Sequence, residues 1–392
     1  MREVFIVHGA RTAFGAFGGS LKDLSALDLG AIAAREAIRR AGVRPEDIDH
    51  TVMGNAQQTS KDALYGARHV ALRAGVPVEK PALTVNRICG SGLQAIVTAA
   101  QHILLGEANL VLAGGMESMS QAPHVIRGAR WGIPLGQSKL EDSLWESLTD
   151  TWCDTSMAMT AENLAEKYSV TRQDADEYAL RSQHGAARAA EAGYFKEEIT
   201  PVEVKSKKGV MTIERDEHIR PDANLESMAK LSPVFKKDGV VTAGNASGIC
   251  DGAAVVVVAS REAVEKHNLK PIGKLLSYAV VGVEPRIMGI GPANAIREAC
   301  AKAKLAVNDL ETIEVNEAFA PQVVAVEREL KIERARLNPN GGGISLGHPL
   351  GASGARLALT LLLHMRRQRQ KVGVASLCIG GGQGIAAVFE AV

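Results

Sequence analysis

Aromatic residues are scarce, at 4% of the chain, and neither sign of charge is in excess, with Lys+Arg at 45 and Asp+Glu at 44. Such a balance sets up no global field toward nucleic acid or a membrane surface, and neither is expected as a partner. No uninterrupted apolar run reaches the ~18 residues of a membrane span. The amino terminus, Met1-Arg2-Glu3-Val4-Phe5-Ile6-Val7, reads directly as a strand. It has neither the apolar stretch of a secretory signal nor the amphipathic look of a transit peptide. The cysteines are Cys89, Cys153, Cys250, Cys300 and Cys378, with no Cys-x-x-Cys pair. An odd, widely spaced set argues against a disulfide framework and a zinc site, and for a reducing compartment. The expected location is cytoplasmic, a bacterial cytosol, or the mitochondrial matrix if the source is eukaryotic. Walker and His-Glu-x-x-His motifs are also missing.

What the chain has is glycine, 39 in 392 residues, and a copy of itself. A shift of 262 residues lays Ala33-Ala34-Arg35-Glu36-Ala37 over Ala295-Ile296-Arg297-Glu298-Ala299 and needs no gap between residues 33 and 115. The same register pairs Ser91-Gly92 with Ser353-Gly354, His102 with His364 and Ala113 with Ala375. A period this long excludes a solenoid and indicates two duplicated α/β halves. Each half reads as an amphipathic helix (Leu27 to Arg40; Ala293 to Ala303) and a short strand (Thr51 to Met53; Thr312 to Val315). A helix then rises from a glycine loop (Leu93 to Leu105; Ala355 to Met365), and a buried strand follows (Leu110 to Ala113; Val372 to Ala375). Alternation of this kind predicts sheets covered by helices. The expected division is 1–119, an insertion at 120–248, and 249–392. The insertion holds all three tryptophans, helical stretches from Met159 and from Gln173, and the basic-polar segment Lys205 to Lys237.

The repeat sorts the thiols and histidines. Cys300 overlays Ile38 on an apolar helix face and reads as core, the usual place of a free cysteine. Cys378 overlays Met116 at a strand end, where α/β proteins place chemistry. Cys89, in Asn86-Arg87-Ile88-Cys89-Gly90-Ser91-Gly92, precedes a helix. The partial positive charge of a helix start predicts a lowered thiol pKa there. His348, in Gly347-His348-Pro349-Leu350-Gly351, overlays Asn86, so a pseudo-twofold would bring its loop to the same cleft as base or N–H donor. His102 and His364 fall in mid-helix and read as structural. Asn316 ends a strand, where most asparagines simply form turns. Gly343-Ile344-Ser345-Leu346-Gly347 fits a nucleophile elbow, but no strand precedes it. Gly380-Gly381-Gly382-Gln383-Gly384 has no βαβ unit after it, which argues against a dinucleotide fingerprint.

Taken together these motifs resemble the thiolase family over the whole chain. The resemblance is carried by residues 86–92, Gly114 to Ser120, Gly244 to Ser247, Asn316-Glu317-Ala318-Phe319-Ala320, Gly347 to Gly351 and Cys378 to Gly382. The Leu144 to Lys167 stretch looks most like the mitochondrial type of 3-ketoacyl-CoA thiolase and its bacterial relatives. The resemblance implies a five-layered αβαβα fold with an inserted loop domain that binds coenzyme A, and a homodimer or homotetramer. It implies reversible CoA-dependent Claisen cleavage of 3-ketoacyl-CoA, with Cys89 carrying the acyl group and Cys378 moving the proton. His348 and a water held by Asn316 would form one oxyanion site, and the N–H groups of Cys89 and Gly380 the other. CoA contacts carry over to Arg220 near the adenine, Ser247 and Gly248 beside the pantetheine, and Met157, Met288, Phe235 and Phe319 along a tunnel. Without the family, those Met and Phe residues read as ordinary core. No metal or prosthetic group is implied, and coenzyme A is a substrate. Short-chain biosynthetic relatives have His-Met where this chain has Ser156-Met157, which leans away from a dedicated acetoacetyl-CoA thiolase, the alternative reading. Remoter alternatives are a decarboxylating ketoacyl synthase, which would replace Cys378, and a non-enzymatic CoA or lipid-carrier module, which would not need Cys89, His348 and Cys378 together.

Overall fold

A computed structural model of the chain describes residues 2–136, 139–206 and 209–392. Lys207 and Lys208 of the basic-polar segment therefore lie outside the described residues, as does Met1. The main elements of the first half are β1 (Val4–Thr12), α1 (Ala26–Ala41), β2 (His50–Gly54), α2 (Gly66–Arg73), β3 (Ala82–Val85), α3 (Ser91–Leu105) and β4 (Leu110–Ser118). Short ribbons and two longer helices follow, α4 (Met157–Lys167) and α5 (Arg172–Glu191). Then come β5 (Cys250–Ser260), β6 (Gly273–Gly282), α6 (Gly291–Ala303), β7 (Thr312–Val315), α7 (Ala320–Leu330), α8 (Leu350–Gln368), β8 (Val372–Ile379) and β9 (Gln383–Ala391).

The strands lie in the order β7-β8-β9-β6-β1-β5-β4-β2-β3. The duplication is visible in it: β2-β4-β5-β1 is mirrored by β7-β8-β9-β6. The two sheets meet through just two residue pairs, Phe5 with Lys274 and Ile6 with Gly273. One expectation is corrected here. Cys250–Ser260, placed by the sequence at the start of the C-terminal half, pairs antiparallel with both β1 and β4. Its hydrogen bonds put it in the first sheet, so the second half begins after it.

Strand periodicity builds the layers. Val255 and Val257 face α1, whereas Val256 and Val258 face the centre of the molecule. Val374 and Ala375 split in the same way between the outer and central cores. Strands buried on both faces read as continuous apolar runs, which is what these segments are. The outer layers are α1 and α2 on the first sheet, and α6 and α7 on the second. The central layer is α3 and α8, whose Leu93, Ile96, Leu357 and Leu361 pack between the sheets. This is the expected five-layer arrangement.

The central layer is closed by glycine. A Cβ on Gly354 would lie 2.2 Å from the Leu93 nitrogen, and one on Gly92 would lie 2.7 Å from the Gly351 oxygen. The helices therefore touch backbone to backbone. Residues Ile88–Leu105 are long and apolar enough on average to cross a membrane by composition, although Ser91, Gln94, Thr98, Gln101 and His102 interrupt the run. Burial between two sheets accounts for it: Leu93, Ile96, Val97, Ala100 and Ile103 of this stretch all sit in the central core.

Behind the central layer lies a buried charge cluster. Arg11 is fully buried, donating from Nε to Glu198 at 2.7 Å and in bidentate fashion to Asp216 at 2.6 and 2.9 Å. It joins β1 to the inserted segment. Removing one partner of a buried pair strands the others, at a cost of about 3–5 kcal/mol. Arg11→Ala is therefore expected to lower the free energy of unfolding by about that amount in urea titration; a loss below about 1 kcal/mol would show that the cluster is not sealed from water.

Candidate active site

Cys89 sits one residue before the cap of α3, in the tight turn Ile88–Gly90. The local sequence folds this turn for itself. Asn86 Oδ1 accepts the Ile88 N–H at 2.9 Å, and Ser91 Oγ accepts the Arg87 N–H at 2.8 Å while donating to the Ile88 oxygen at 2.7 Å. Ile88 is thereby held at φ 47°. A β-branched residue there carries about 1–3 kcal/mol of strain, which the surrounding bonds must hold.

Cys378 is the penultimate residue of β8, in a hairpin that returns through Gly381 and Gly382, both at φ 82°. The glycine run is thus a hairpin turn, with no dinucleotide loop. The thiol is fully buried against Met288 and Ala318, with Met157 and Phe319 packed beside it. The Gly380 N–H bonds to the Cys89 thiol, and the two cysteines interact. The duplicated halves thus deliver one thiol each to a single point.

His348 completes the group. Its Nδ1 lies 2.5 Å from Ser353 Oγ, which donates to the Pro349 oxygen at 2.9 Å. With the serine proton engaged there, Nδ1 is the donor in that contact, and Nε2 is left as an acceptor. Asn316 Nδ2 lies 3.2 Å from Nε2. Asn316 Oδ1 is buried and has no partner among the described residues. The asparagine is set by β7, its N–H bonding the Ser376 oxygen of β8 at 2.9 Å.

The electrostatics reverse one expectation. Burial pushes the Cys89 thiol up to about 12, against the pull of the Gly380 and Cys89 N–H groups, with Glu117 adding to the rise. The helix start is real, but desolvation outweighs it. Burial likewise raises Cys378, and neighbouring Cys89 adds to it. Burial, with the Arg356 charge behind it, lowers His348 to about 3. The resting group is two neutral thiols and a neutral imidazole.

One cavity reaches His348, and a second adjoins it further out. The inner one, about 340 Å³, is lined by Leu144, Trp145, Leu148, Met157, Phe319 and His348. Leu144 and Leu350, on its wall, pack on Cys89. The outer one, about 750 Å³, is lined by Arg220, His218, Asn224 and Ser227, and the two share Phe17, Phe235, Ser247 and Gly248. The result is one groove, polar and wide outside, apolar and narrow within. Ser247 is fixed by its N–H to the Ala318 oxygen at 2.9 Å, and the Gly248 oxygen accepts the His348 N–H at 3.0 Å. Gly248 leaves room for the His218 ring, which a Cβ would meet at 2.1 Å.

The structure thus brings Cys89, Cys378, His348, Asn316 and Gly380 together, and puts Arg220, Ser247, Gly248, Phe235, Met157 and Phe319 on the groove. Met288 lies elsewhere, buried behind Cys378 and off the lining of both cavities. Ser345 of the apparent nucleophile elbow is buried and bonded to Ser182 and Gly342. His102 stacks on His50 with centroids 4.5 Å apart, and His364 bonds Asn340 at 3.1 Å. Both are away from the groove, as their helix positions suggest. The sequence assigns no role at the site to Ser353, which only pairs with Ser91 in the repeat, or to His218. Only the motif spacing from His348 hints at the first, and no signal marks the second.

Comparison with known proteins agrees with this geometry. Family models described as "Thiolase, N-terminal domain" and "Thiolase, C-terminal domain" match residues 4–262 and 269–391. The mitochondrial 3-ketoacyl-CoA thiolase of Homo sapiens is 54% identical, over 100% of this chain and 98% of the relative. The acetyl-CoA acetyltransferase of Syntrophomonas wolfei is 47% identical over 100% and 99%. A crystal structure of the human mitochondrial enzyme in complex with CoA superposes with a TM-score of 0.97 at 53% identity, covering 100% of this chain and 98% of that one. Two halves that each supply one thiol to a shared groove, both matched end to end by the same family, make this chain a member of the thiolase family.

Proposed function

We propose that the chain is a 3-ketoacyl-CoA thiolase, an acetyl-CoA C-acyltransferase that cleaves 3-ketoacyl-CoA with CoA to acetyl-CoA and a shortened acyl-CoA. The observation that carries this reading is the pairing of two buried thiols with a neutral histidine at the inner end of an apolar groove.

The chemistry follows from the protonation states. His348 Nε2 takes the Cys89 proton as the sulfur attacks the 3-keto carbon. Because the thiol lies near 12 and the imidazole near 3, transfer must be coupled to C–S bond formation. The N–H groups of Cys89 and Gly380 face the oxygen that becomes an anion in that adduct. The C2–C3 bond breaks, and its electron pair forms the acetyl-CoA enolate. The new Nε2–H and a water on Asn316 hold the enolate oxygen. Cys378 gives its proton to C2, and acetyl-CoA leaves. The Cys378 thiolate then takes the proton of incoming CoA, whose sulfur displaces Cys89. Cys89 recovers its proton from His348. Every atom comes from substrate, CoA and these residues, with CoA a substrate and no further group called for.

Arg220 offers charge to the nucleotide end, and Ser247 and Gly248 line the passage for the pantetheine. The segment 120–248 supplies most of those walls and is read as the CoA-binding insertion. For self-association, β3 is a free sheet edge with exposed Leu83, and Trp131, Ile133 and Leu135 stand out from the inserted segment. These surfaces support a homodimer or homotetramer. The free thiols fit a reducing compartment, the matrix for a eukaryotic source or a bacterial cytosol. The second reading, acetyl-CoA acetyltransferase, is less favoured because the inner cavity beside His348 is walled by the large apolar side chains Leu144, Trp145, Leu148 and Phe319, a surface suited to an acyl chain. The test is thiolysis across 3-ketoacyl-CoA chain lengths. We expect kcat/KM to rise about tenfold or more from four to eight carbons, since each buried methylene is worth about 0.8 kcal/mol at most. Activity confined to four carbons would replace this reading with the second.

A further inference from the structure

We propose that Glu117 and Glu317 are positioning residues that clamp the His348 segment at its two ends and so set its separation from Cys89. The inference takes its catalytic meaning from the thiolase reading. Both carboxylates are fully buried, and neither forms an ion pair among the described residues. Each is instead filled by four hydrogen-bond donors. Glu117, near the end of β4, accepts from Asn55 Nδ2 at 2.8 Å, the Gln57 N–H at 2.9 Å, the Ala56 N–H at 3.0 Å and the Gly351 N–H at 2.7 Å. Glu317, just after β7, accepts from Ser182 Oγ at 2.6 Å, Tyr178 OH at 3.0 Å, Asn338 Nδ2 at 3.1 Å and the Ile344 N–H at 3.2 Å.

The geometry is what assigns the role. Ile344 and Gly351 flank His348 in the chain, so the loop is held at one end by each half. The Glu117 bond crosses from the half that carries Cys89, and the Glu317 bond comes from the residue beside Asn316. Backbone is pressed against both anchors. A Cβ on Gly342 would lie 2.5 Å from the Glu317 carboxyl carbon, and one on Gly351 would lie 3.0 Å from Glu117 Oε2. An anionic acceptor with four N–H or O–H donors makes strong, short bonds. Glutamine in its place turns one acceptor into a donor facing donors, which would release the segment while keeping the volume. A buried carboxylate without a cation costs desolvation energy, and burial accordingly raises Glu117 to about 7. Four donors on each carboxylate offset that cost.

The experiment is a double-mutant cycle on Cys89 alkylation by iodoacetamide, mapped by peptide mass, with thiolysis measured alongside. Glu117→Gln and Glu317→Gln are each expected to slow Cys89 alkylation about tenfold in the parent and less than about twofold in His348→Ala, because the effect runs through His348. In thiolysis kcat should fall with KM for CoA within about twofold. An equal slowing in both backgrounds would mean a merely structural role and would overturn the proposal. If a Glu→Gln variant fails to fold, Ser182→Ala, which removes one donor from Glu317, goes through the same cycle. It should slow alkylation about threefold and lose that effect without His348; an effect that persists there overturns the clamp. Alkylation needs no acyl-CoA. A parent that alkylates normally yet fails to cleave 3-ketoacyl-CoA would sink the thiolase reading and leave this one standing.

Discussion

Cys89→Ala should remove essentially all thiolysis, lowering kcat by roughly 10⁵-fold or more, as loss of a nucleophile does when nothing can replace it. Two features make the loss complete. The other thiol in the site, Cys378, is fully buried against Met288 and Ala318 and faces the opposite side of the substrate carbon chain in the proposed reaction. And the Gly380 N–H bonds the Cys89 sulfur, whereas the backbone N–H that bonds the Cys378 thiol is its own. CoA binding should survive, since Arg220, Ser247 and Gly248 lie further out along the groove. The measurements are release of acetyl-CoA from a 3-ketoacyl-CoA and calorimetric binding of CoA. Wild-type turnover in the variant would exclude the acyl-enzyme route. Loss of CoA binding along with activity would mean that the substitution had collapsed the site.

Cys378→Ala should separate the two halves of the reaction. Proton transfer to or from carbon by a placed acid–base group is worth about 10²–10⁴-fold, and here it must coincide with stabilisation of the enolate oxygen by His348 and Asn316. We therefore expect exchange of the acetyl-CoA methyl hydrogens with deuterated water to fall by about 10³-fold or more. Acylation of Cys89 by acetyl-CoA should change by less than about tenfold, because attack on the thioester carbonyl needs His348 and the two N–H donors and has no use for the second thiol. Exchange at the parent rate would transfer the acid–base role to His348. A matching loss in acylation would show that Cys378 acts on Cys89 itself, through the interaction by which Cys89 raises the Cys378 thiol.

The turn that holds Cys89 in the proposed catalytic group was legible because it is short-range in sequence terms. Asn86, Ile88, Gly90 and Ser91 build the turn around Cys89 from their own backbone and side-chain bonds, and such a turn is written locally. The repeat then gave long-range information that a single segment lacks, placing Cys378 and His348 relative to Cys89. Three things were not legible, each for a physical reason. Cys250–Ser260 reads plainly as a buried strand, but its neighbours are chosen by packing some 130 residues away, with Gly114 to Ser118 of β4. The thiol pKa was misjudged because a helix start is visible in sequence and the depth of burial is not. Glu117 and Glu317 lie inside quoted motifs, yet an acid in a motif names no donors; Tyr178, Ser182 and Asn338 arrive from other elements. An acidic residue within an otherwise apolar or glycine-rich run is the one signal that could have raised the question.

The glycine contacts between α3 and α8 have a bearing on how such a molecule can change over time. After a duplication, the two copies are free to drift, and here Met116 and Cys378, or Gly54 and Asn316, have become different at matching places. The seam does not share that freedom. With a Cβ on Gly354 only 2.2 Å from the Leu93 nitrogen, any side chain there would wedge the copies apart and, in the proposed reaction, carry His348 away from Cys89. The gauge of the active site is thus written in missing atoms. Leu144, Trp145 and Ser156 line the inner cavity away from that seam, so under the proposed function substitutions there are expected to change substrate range while the gauge stays fixed.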